Sequence, residues 1–307
     1  MSDRIETTRL PFTVRSADQA TNLFAGAHDE ATEFRNLIEA SGGCVPARSP
    51  LAHSLDGYVR AAAFISSGRE PTTDDATDMK DAIRVRFVVR AVMAAYRHQV
   101  PHLDERLREI RGEDVIISGE CGAQSKARDT MWEIVTAGLC TRFASQVVLI
   151  DPPDVTCNIN GTRWSVACKM LRSPSGRQQM KRVVEGAKQV ERHPDADRGI
   201  VLVNVTDAVF HVPWSSPMNM NVSIPMFEAA MSETVRGLDR RDLFDGLARR
   251  PKVRTFMLFG QTMLDTGDTA MLATIASWPR SLQQASPDQG EAALLQAVND
   301  AARALLE

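Results

Sequence analysis

The dipeptide Asn160-Gly161 is the sequence feature that most constrains the fold. It separates two runs of alternating apolar and polar residues, DVTCNI and TRWSVACK. Both central positions of a type I′ turn need a positive φ, which asparagine and glycine adopt at low cost. The dipeptide therefore predicts a two-residue β-hairpin whose strand pairing is fixed from the turn outward.

The predicted register brings one acid and one lysine to the open end of this hairpin. It pairs Ile159 with Thr162, Asn158 with Arg163 and Thr156 with Ser165. Continued further, it places Asp154 opposite Ala167, with Lys169 two residues beyond on the same face. Alternation turns the remaining side chains toward the core, namely Val155, Cys157, Ile159, Trp164, Val166 and Cys168.

The patterns of the whole chain predict three segments and an α/β fold. Residues 1–112 contain amphipathic helices separated by Pro-, Ser- and Gly-containing loops, so we expect an all-helical domain. Residues 113–264 have the order α-β-β-β-α-β-α-β, which is typical of a mixed central sheet flanked by helices. Residues 265–307 are predicted to form a C-terminal helical extension.

Composition limits the classes of partner. The formal net charge of −3 argues against attraction of nucleic acid by the whole surface, so such a contact would be local. The five cysteines lack CxxC spacing, which argues against a disulfide framework or a zinc site. No window approaches the roughly 18 apolar residues of a membrane span, and the N-terminus lacks a signal-peptide pattern. We therefore expect a cytoplasmic protein with no membrane partner.

The hairpin resembles the PD-(D/E)xK nuclease superfamily, which has the restriction-endonuclease-like fold. Pro153-Asp154 corresponds to the first half of the motif, and Ala167-Cys168-Lys169 stands where (D/E)xK would be. The resemblance covers residues 113–264 and implies an endonuclease that uses Mg²⁺ or Mn²⁺ to hydrolyse DNA. It implies metal binding by Asp154 and a position at the scissile phosphate for Lys169. The ordinary alternatives are a turn-capping aspartate and a solvated lysine.

Ala167 departs from the motif, because a methyl group cannot bind a metal ion. Three explanations remain open. In the first explanation, the acid has moved to the following helix, GRQQMKRVVEGAKQVER, where Glu185 is the candidate metal ligand. Alternatively, the alanine is an engineered replacement of a natural glutamate. In the third explanation, the protein keeps a nuclease fold only to bind nucleic acid or a partner protein.

Two further residues complete the predicted catalytic set. Glu133 lies in MWEIVTAGLCTRFA, a helix that is apolar nearly all round, where a carboxylate needs a compensating partner. The resemblance implies a metal-binding role for Glu133, and a salt bridge to a neighbouring arginine such as Arg128 is the alternative. Gln189 resembles a helix glutamine that some superfamily members place near the metal, and a solvated position is its alternative.

Basic residues are concentrated in the hairpin and the following helix. The residues predicted to contact DNA phosphates are Arg163, Arg172, Arg177, Lys181, Arg182 and Lys188. A local excess of positive charge suits a phosphate backbone, although helical periodicity also predicts a solvated face. Analogy with such folds suggests a bacterial defence or DNA-processing system, a second protein bound through residues 1–112, and a homodimer that cuts both strands.

Overall fold

The computed structural model describes residues 8–13, 24–67, 69, 72–110, 126–172, 175–206, 224–239, 242–265, 271–281, 294, 296–298, 300, 301 and 304. The helices are α1 (Ala27–Ala40), α2 (Pro50–Ser67), α3 (Thr73–Arg97), α4 (Leu103–Arg108), α5 (Lys126–Cys140), α6 (Gly176–Arg192), α7 (Ile224–Asp239) and α8 (Leu243–Ala248). The strands are β1 (Thr8–Thr13), β2 (Ser145–Leu149), β3 (Val155–Ile159), β4 (Thr162–Met170), β5 (Arg198–Asn204), β6 (Val253–Asp265) and β7 (Met271–Ser281).

A seven-stranded mixed sheet lies at the centre of the described residues, with the order β1-β7-β6-β5-β4-β3-β2. The middle strands β4, β5 and β6 are parallel, and the helices α6, α7 and α8 lie in the connections between them. The other neighbouring strands are antiparallel. The predicted order of elements begins at α5, and the α/β class is confirmed.

One face of the sheet, which we call the α5 face, packs against α3 and α5, and α1 and α2 join the same hydrophobic core through α3. Phe259 of β6 stacks on Phe87 of α3 with ring centroids 5.4 Å apart, and its ring lies 5.1 Å from that of Trp132 of α5. The hairpin contributes the side chains that its alternation predicted to be apolar and buried, namely Val155, Cys157, Ile159, Trp164, Val166 and Cys168.

The opposite face, which we call the α6 face, packs against α6, α7 and α8. Residues Val183, Ala187 and Val190 form the buried stripe of α6, at the spacing of an amphipathic helix. The sheet contributes Ala167, Val201, Val203, Phe256 and Leu258 to this second hydrophobic core. Both faces of β4 are therefore covered, as is usual for a strand that is parallel to its neighbour.

The prediction that residues 1–112 form an all-helical domain is wrong in two respects. Strand β1 pairs with β7, at the edge of the sheet. In addition, the helices of this segment share one hydrophobic core with the hairpin and β6. The physical reason is that the α5 face of the sheet is apolar, and α1, α2 and α3 remove it from water together with α5.

The C-terminal segment 265–307 also differs from the predicted helical extension. It begins with β7, which pairs with β6 over the length of the strand. The described residues from 294 to 304 are helical, and Leu294, Val298 and Ala301 join the core of the α5 face. Among the helices in the described parts of the chain, none has the length and apolarity needed to cross a membrane.

The hairpin turn has the predicted geometry. Asn160 and Gly161 have φ values of 51° and 83°, as a type I′ turn requires. The N–H of Gly161 also donates a hydrogen bond of 2.9 Å to Asn158 Oδ1. The observed pairs Ile159–Thr162, Asn158–Arg163 and Thr156–Ser165 confirm the predicted register.

Candidate active site

Asp154 and Lys169 form the centre of the candidate site. Their side chains are 4% and 11% exposed, and Lys169 Nζ donates a hydrogen bond to Asp154 Oδ2 at 3.1 Å. The same oxygen accepts the backbone N–H of Cys168 at 2.6 Å. Burial outweighs the lowering effect of these contacts and raises the pKa of Asp154 to about 6. The pair is thus a buried ion pair, which distinguishes Lys169 from a solvated strand lysine.

The hairpin positions this pair in a way that the extrapolated register did not predict. The β3–β4 ladder ends with Val155 opposite Val166, so Asp154 is not the strand partner of Ala167. Its carboxylate instead accepts the N–H of Cys168. A side-chain oxygen thereby continues the hydrogen bonding of β4 beyond the last paired residue of β3, because a buried N–H needs an acceptor.

Glu133 of α5 is the second buried acid of the site. Burial, and then the charge of Asp154, raise the pKa of Glu133 to about 8, while Arg106 and Lys169 lower it. Its Oε2 is buried and accepts no hydrogen bond from any described residue. The sequence prediction placed Glu133 near Asp154, and the structure brings the two together. A buried carboxylate oxygen that accepts no hydrogen bond is unusual and calls for an explanation.

Arg106 of α4 is a site residue that sequence reasoning missed. Its NH2 lies 3.6 Å from Glu133 Oε2, so Arg106 and not Arg128 is the cation that faces this acid. Its NH1 lies 3.8 Å from Glu109 Oε1. The stretch LDERLREI gave no signal, because its alternating charges are typical of any short solvated helix. Packing of α4 against α5 creates the contact.

Ala167 is fully buried and belongs to the hydrophobic core of the α6 face. Directly above it is Gly186 of α6, whose lack of a side chain allows the helix to approach the sheet. A β-carbon at Gly186 would lie 3.4 Å from Ala167 Cβ and 3.2 Å from Lys169 Cγ. The motif position is therefore occupied by close packing between β4 and α6.

Glu185 does not complete the site, contrary to the prediction that it replaces the motif acid. Its side chain is 43% exposed, and its carboxylate lies 4.0 Å from Lys181 Nζ and 3.9 Å from Arg182 NH1. No group of three or more His, Cys, Asp or Glu residues in the described chain is arranged to hold a metal ion. The ordinary interpretation of Glu185 as one member of a solvated helix face is the better one.

Gln189 lies one helical turn beyond Glu185 and is half-buried. Its Oε1 is buried and has no hydrogen-bond partner among the residues that the structure describes. The amide is therefore not the solvated group of the alternative interpretation. Its predicted place beside a metal stays a prediction.

Arg172 is an interior residue and not a surface contact for DNA. It is 7% exposed, and its NH2 donates a 2.7 Å hydrogen bond to Asp129 Oδ1 of α5. Arg182 binds the other oxygen of Asp129 at 3.3 Å, with 40% of its side chain exposed. Asp129 thus joins the end of β4 and α6 to α5. The prediction that these arginines contact DNA used only their positive charge and did not foresee that both bind Asp129.

The other predicted DNA contacts lie on two separate parts of the surface. Arg163 is 53% exposed, near Asp195, but it stands six residues before Lys169 on the same strand. At about 3.3 Å per residue, this separation is about 20 Å, so Arg163 is not next to the site. Of the predicted DNA contacts, those that are exposed on α6 are Arg177, Lys181 and Lys188.

The acids of the site influence one another electrostatically. The charge of Asp151, just before the hairpin, raises the pKa of both Asp154 and Glu133. Neighbouring carboxylates repel each other when both are ionised, and a cation between them removes this penalty. The chain itself supplies two cations here, Lys169 and Arg106.

Comparisons with known proteins give no relative for this chain. No protein-family model, curated protein or solved structure matches it. The residues that the structure brings together are Asp154, Lys169, Glu133 and Arg106, and the interpretation of the site depends on their geometry.

Proposed function

We propose that the protein is a metal-dependent deoxyribonuclease that hydrolyses DNA phosphodiester bonds, with a core of restriction-endonuclease-like fold. The observation that carries this proposal is the ion pair of Lys169 with Asp154, buried at the open end of a hairpin and next to Glu133. The helix–hairpin–helix–strand order from α5 to β5 supports the fold assignment.

The acids present fit a Mg²⁺ or Mn²⁺ ion. Glu133 has a buried oxygen without a hydrogen-bond partner in the described chain, and Asp154 has a second carboxylate oxygen besides the one that binds Lys169. Magnesium is commonly held by one or two carboxylates together with substrate phosphates, so a third acid is not required. When bound, such an ion activates water and offsets charge on the phosphate oxygens.

The residues of the chain have distinct roles in this proposal. Asp154 holds the ammonium of Lys169 through Oδ2, so that Nζ retains two protons with which to bind a water molecule or a phosphate oxygen. Hydrolysis forms a bond from the water oxygen to phosphorus and breaks the bond to the leaving sugar oxygen, which takes up a proton. Lys169 stabilises the negative charge that accumulates on the phosphate oxygens meanwhile.

The exposed bases of α6 support DNA as the substrate. Arg177, Lys181 and Lys188 are exposed on this helix, and Arg182 is partly so. The helix packs over Lys169 at Gly186, so these cations lie on the same element that covers the site. Cytoplasmic location, a homodimer, and a protein partner bound through residues 1–112 in a defence or DNA-processing system remain parts of the proposal.

Plasmid cleavage tests the assignment. Supercoiled and linear DNA are incubated with Mg²⁺, Mn²⁺ or EDTA, and the chain is compared with Asp154→Asn and Lys169→Met. We expect metal-dependent cleavage that falls by about 10²-fold or more in each variant, the usual effect of removing one electrostatic group. Glu185→Gln is the matched control and is expected to cleave as the parent does. Parental activity in Asp154→Asn and Lys169→Met would show that the site is wrongly assigned.

Nucleic-acid binding without cleavage is the second candidate function, and the buried Ala167 favours it. The test compares Ala167→Glu with Ala167→Gln, which has a similar size without the charge. Cleavage that appears only in Ala167→Glu would mean that the alanine silences a nuclease. DNA binding with no cleavage in the parent or in either variant would support the binding function.

A further inference from the structure

The guanidinium of Arg106 lies between two acids and makes a hydrogen bond to neither. Its distances are 3.6 Å to Glu133 and 3.8 Å to Glu109, both beyond the range of a hydrogen bond. Other arginines of the chain differ in this respect. Arg172 donates to Asp129 at 2.7 Å, and Arg60 donates to Asp78 at 2.7 and 2.9 Å.

Glu109 is already engaged on its other side. Its Oε2 lies 3.1 Å from Lys126 Nζ and accepts a hydrogen bond from Thr130 Oγ1 at 3.1 Å. These contacts draw Glu109 toward α5 and away from Arg106. The Arg106 side chain is 15% exposed. None of its nitrogens is among the buried side-chain atoms of the described residues that lack a hydrogen-bond partner, so its N–H donors are accessible to a ligand.

A ligand that takes up these donors should be an anion, and the position of Arg106 indicates where it binds. The guanidinium faces Glu133, which in turn senses the charges of Asp154 and Lys169. A planar guanidinium presents paired N–H groups that match two oxygens of a phosphate.

We propose that Arg106 binds a non-bridging phosphate oxygen of the substrate, beside the Asp154–Lys169 pair. This inference rests on the proposed function and deepens it, because it assigns a substrate contact to α4. Arg106 then faces Glu133 while the site holds no substrate, and turns its N–H donors to the phosphate when DNA is present. The helical segment before the hairpin thereby becomes part of the active site.

DNA binding in EDTA tests Arg106 without requiring cleavage. Fluorescence anisotropy of a labelled DNA duplex gives Kd across a range of salt concentrations for the parent, Arg106→Gln and Arg106→Lys. We expect about tenfold weaker binding for Arg106→Gln and a salt slope reduced by about one, as for the loss of one phosphate contact. Arg106→Lys should keep the slope, because it keeps the charge, and bind with intermediate affinity because it lacks the planar fork.

Arg60→Gln is the matched control, since it also removes one arginine from the helical segment. Arg60 pairs with Asp78 of α3 and not with an acid of the site. The salt slope of DNA binding by Arg60→Gln should therefore equal that of the parent. An unchanged slope in Arg106→Gln, with parental DNA binding, would overturn the role of Arg106 alone. A parent that binds no DNA would overturn both this role and the proposed function. If Arg106→Gln fails to fold, a parental affinity in Arg106→Lys overturns the bidentate contact, and reduced affinity supports it.

Discussion

Helices α5 and α6 cover opposite faces of the same sheet, and each carries a glutamate that the sequence assigned to the site. Glu133 on α5 is buried beside Asp154, and its pKa is raised to about 8. Glu185 on α6 is 43% exposed and lies near two bases of its own helix. The difference teaches that an acid on an otherwise apolar helix is the better site candidate, because only a functional or structural partner justifies its burial.

The two helices also use glycine at their closest contacts, with different partners. A β-carbon at Gly138 of α5 would lie 1.9 Å from the backbone oxygen of Ala91 in α3. A β-carbon at Gly186 of α6 would meet only side chains, with Lys169 Cγ and Val201 Cγ1 at 3.2 Å. Backbone cannot move as easily as a side chain, so the α5 contact is the more rigid of the two.

The largest expected effect is a dependence of protein stability on pH that Glu133 causes and Glu185 does not. Because the folded pKa of Glu133 is raised from 4.5 to about 8, its contribution to stability is complete at low pH and is lost as pH rises through that window. Glutamine does not titrate, so Glu133→Gln does not lose this stability. In EDTA, the free energy of unfolding of Glu133→Gln relative to the parent should therefore increase by about 3 to 4 kcal/mol between about pH 5 and about pH 8. Urea denaturation at both pH values measures this increase. An equal increase in Glu185→Gln would contradict the difference between the two glutamates.

The second expected effect is the loss of close packing between α5 and α3. Gly138→Ala forces its methyl group against the backbone oxygen of Ala91, so the helices must separate. We expect the free energy of unfolding to fall by about 3 kcal/mol, at the upper end for overpacked cores. Gly237→Ala on α7 is the control, since a β-carbon there has no neighbour within 4 Å. Equal stability of these two variants in urea denaturation would contradict the structure.

The third expected effect concerns the carboxylate that joins the two helices. Asp129→Asn removes the charge that binds both Arg172 and Arg182, and Arg172 is buried. We expect a loss of about 2 kcal/mol, less than for a fully buried pair because Asp129 is itself 33% exposed. Glu185→Gln removes only exposed ion pairs and should change stability by less than about 0.5 kcal/mol. Thermal unfolding of the two variants checks the order.

The smallest expected effect is at Gly186. Replacing a helix-interior glycine by alanine ordinarily raises stability by about 1 kcal/mol, and Gly237→Ala should show this gain. Gly186→Ala should show no gain, because its methyl group presses on Lys169 and Val201. A gain at Gly186 equal to that at Gly237 in urea denaturation would mean that α6 does not approach the sheet as closely as described.

Local sequence signals predicted a large part of the fold and three of the four residues that meet at the site, with Arg106 missed. The Asn160-Gly161 turn fixed the register of the hairpin, and the observed pairs agree. The same reasoning brought Asp154 and Lys169 to one end of it, where they form an ion pair. Helical periodicity also predicted a solvated face of α6, and Arg177, Lys181 and Lys188 are exposed there. These features are local, because each depends on residues within one turn, one helix or one strand pair.

Long-range features were wrong or missed for a shared reason. The sequence places Arg172 in a basic run, but folding buries it against Asp129, 43 positions earlier. Arg106 belongs to a segment predicted to form a separate domain, yet it faces Glu133. Likewise β1 pairs with β7 at the far end of the chain. Such partners are set by which elements pack together, and periodicity within a segment carries no information about them.

The sequence by itself determined the α/β class, the hairpin and the meeting of Asp154 with Lys169. Only the tertiary structure decided which acid accompanies that pair. Glu133 and Glu185 both lie on helices adjacent to the hairpin, and composition does not rank them. Packing places Glu133 in the interior, where desolvation raises its pKa and Arg106 approaches it, whereas Glu185 remains in water with Lys181 and Arg182. Burial depends on the complete fold, so the chemistry of each carboxylate does too.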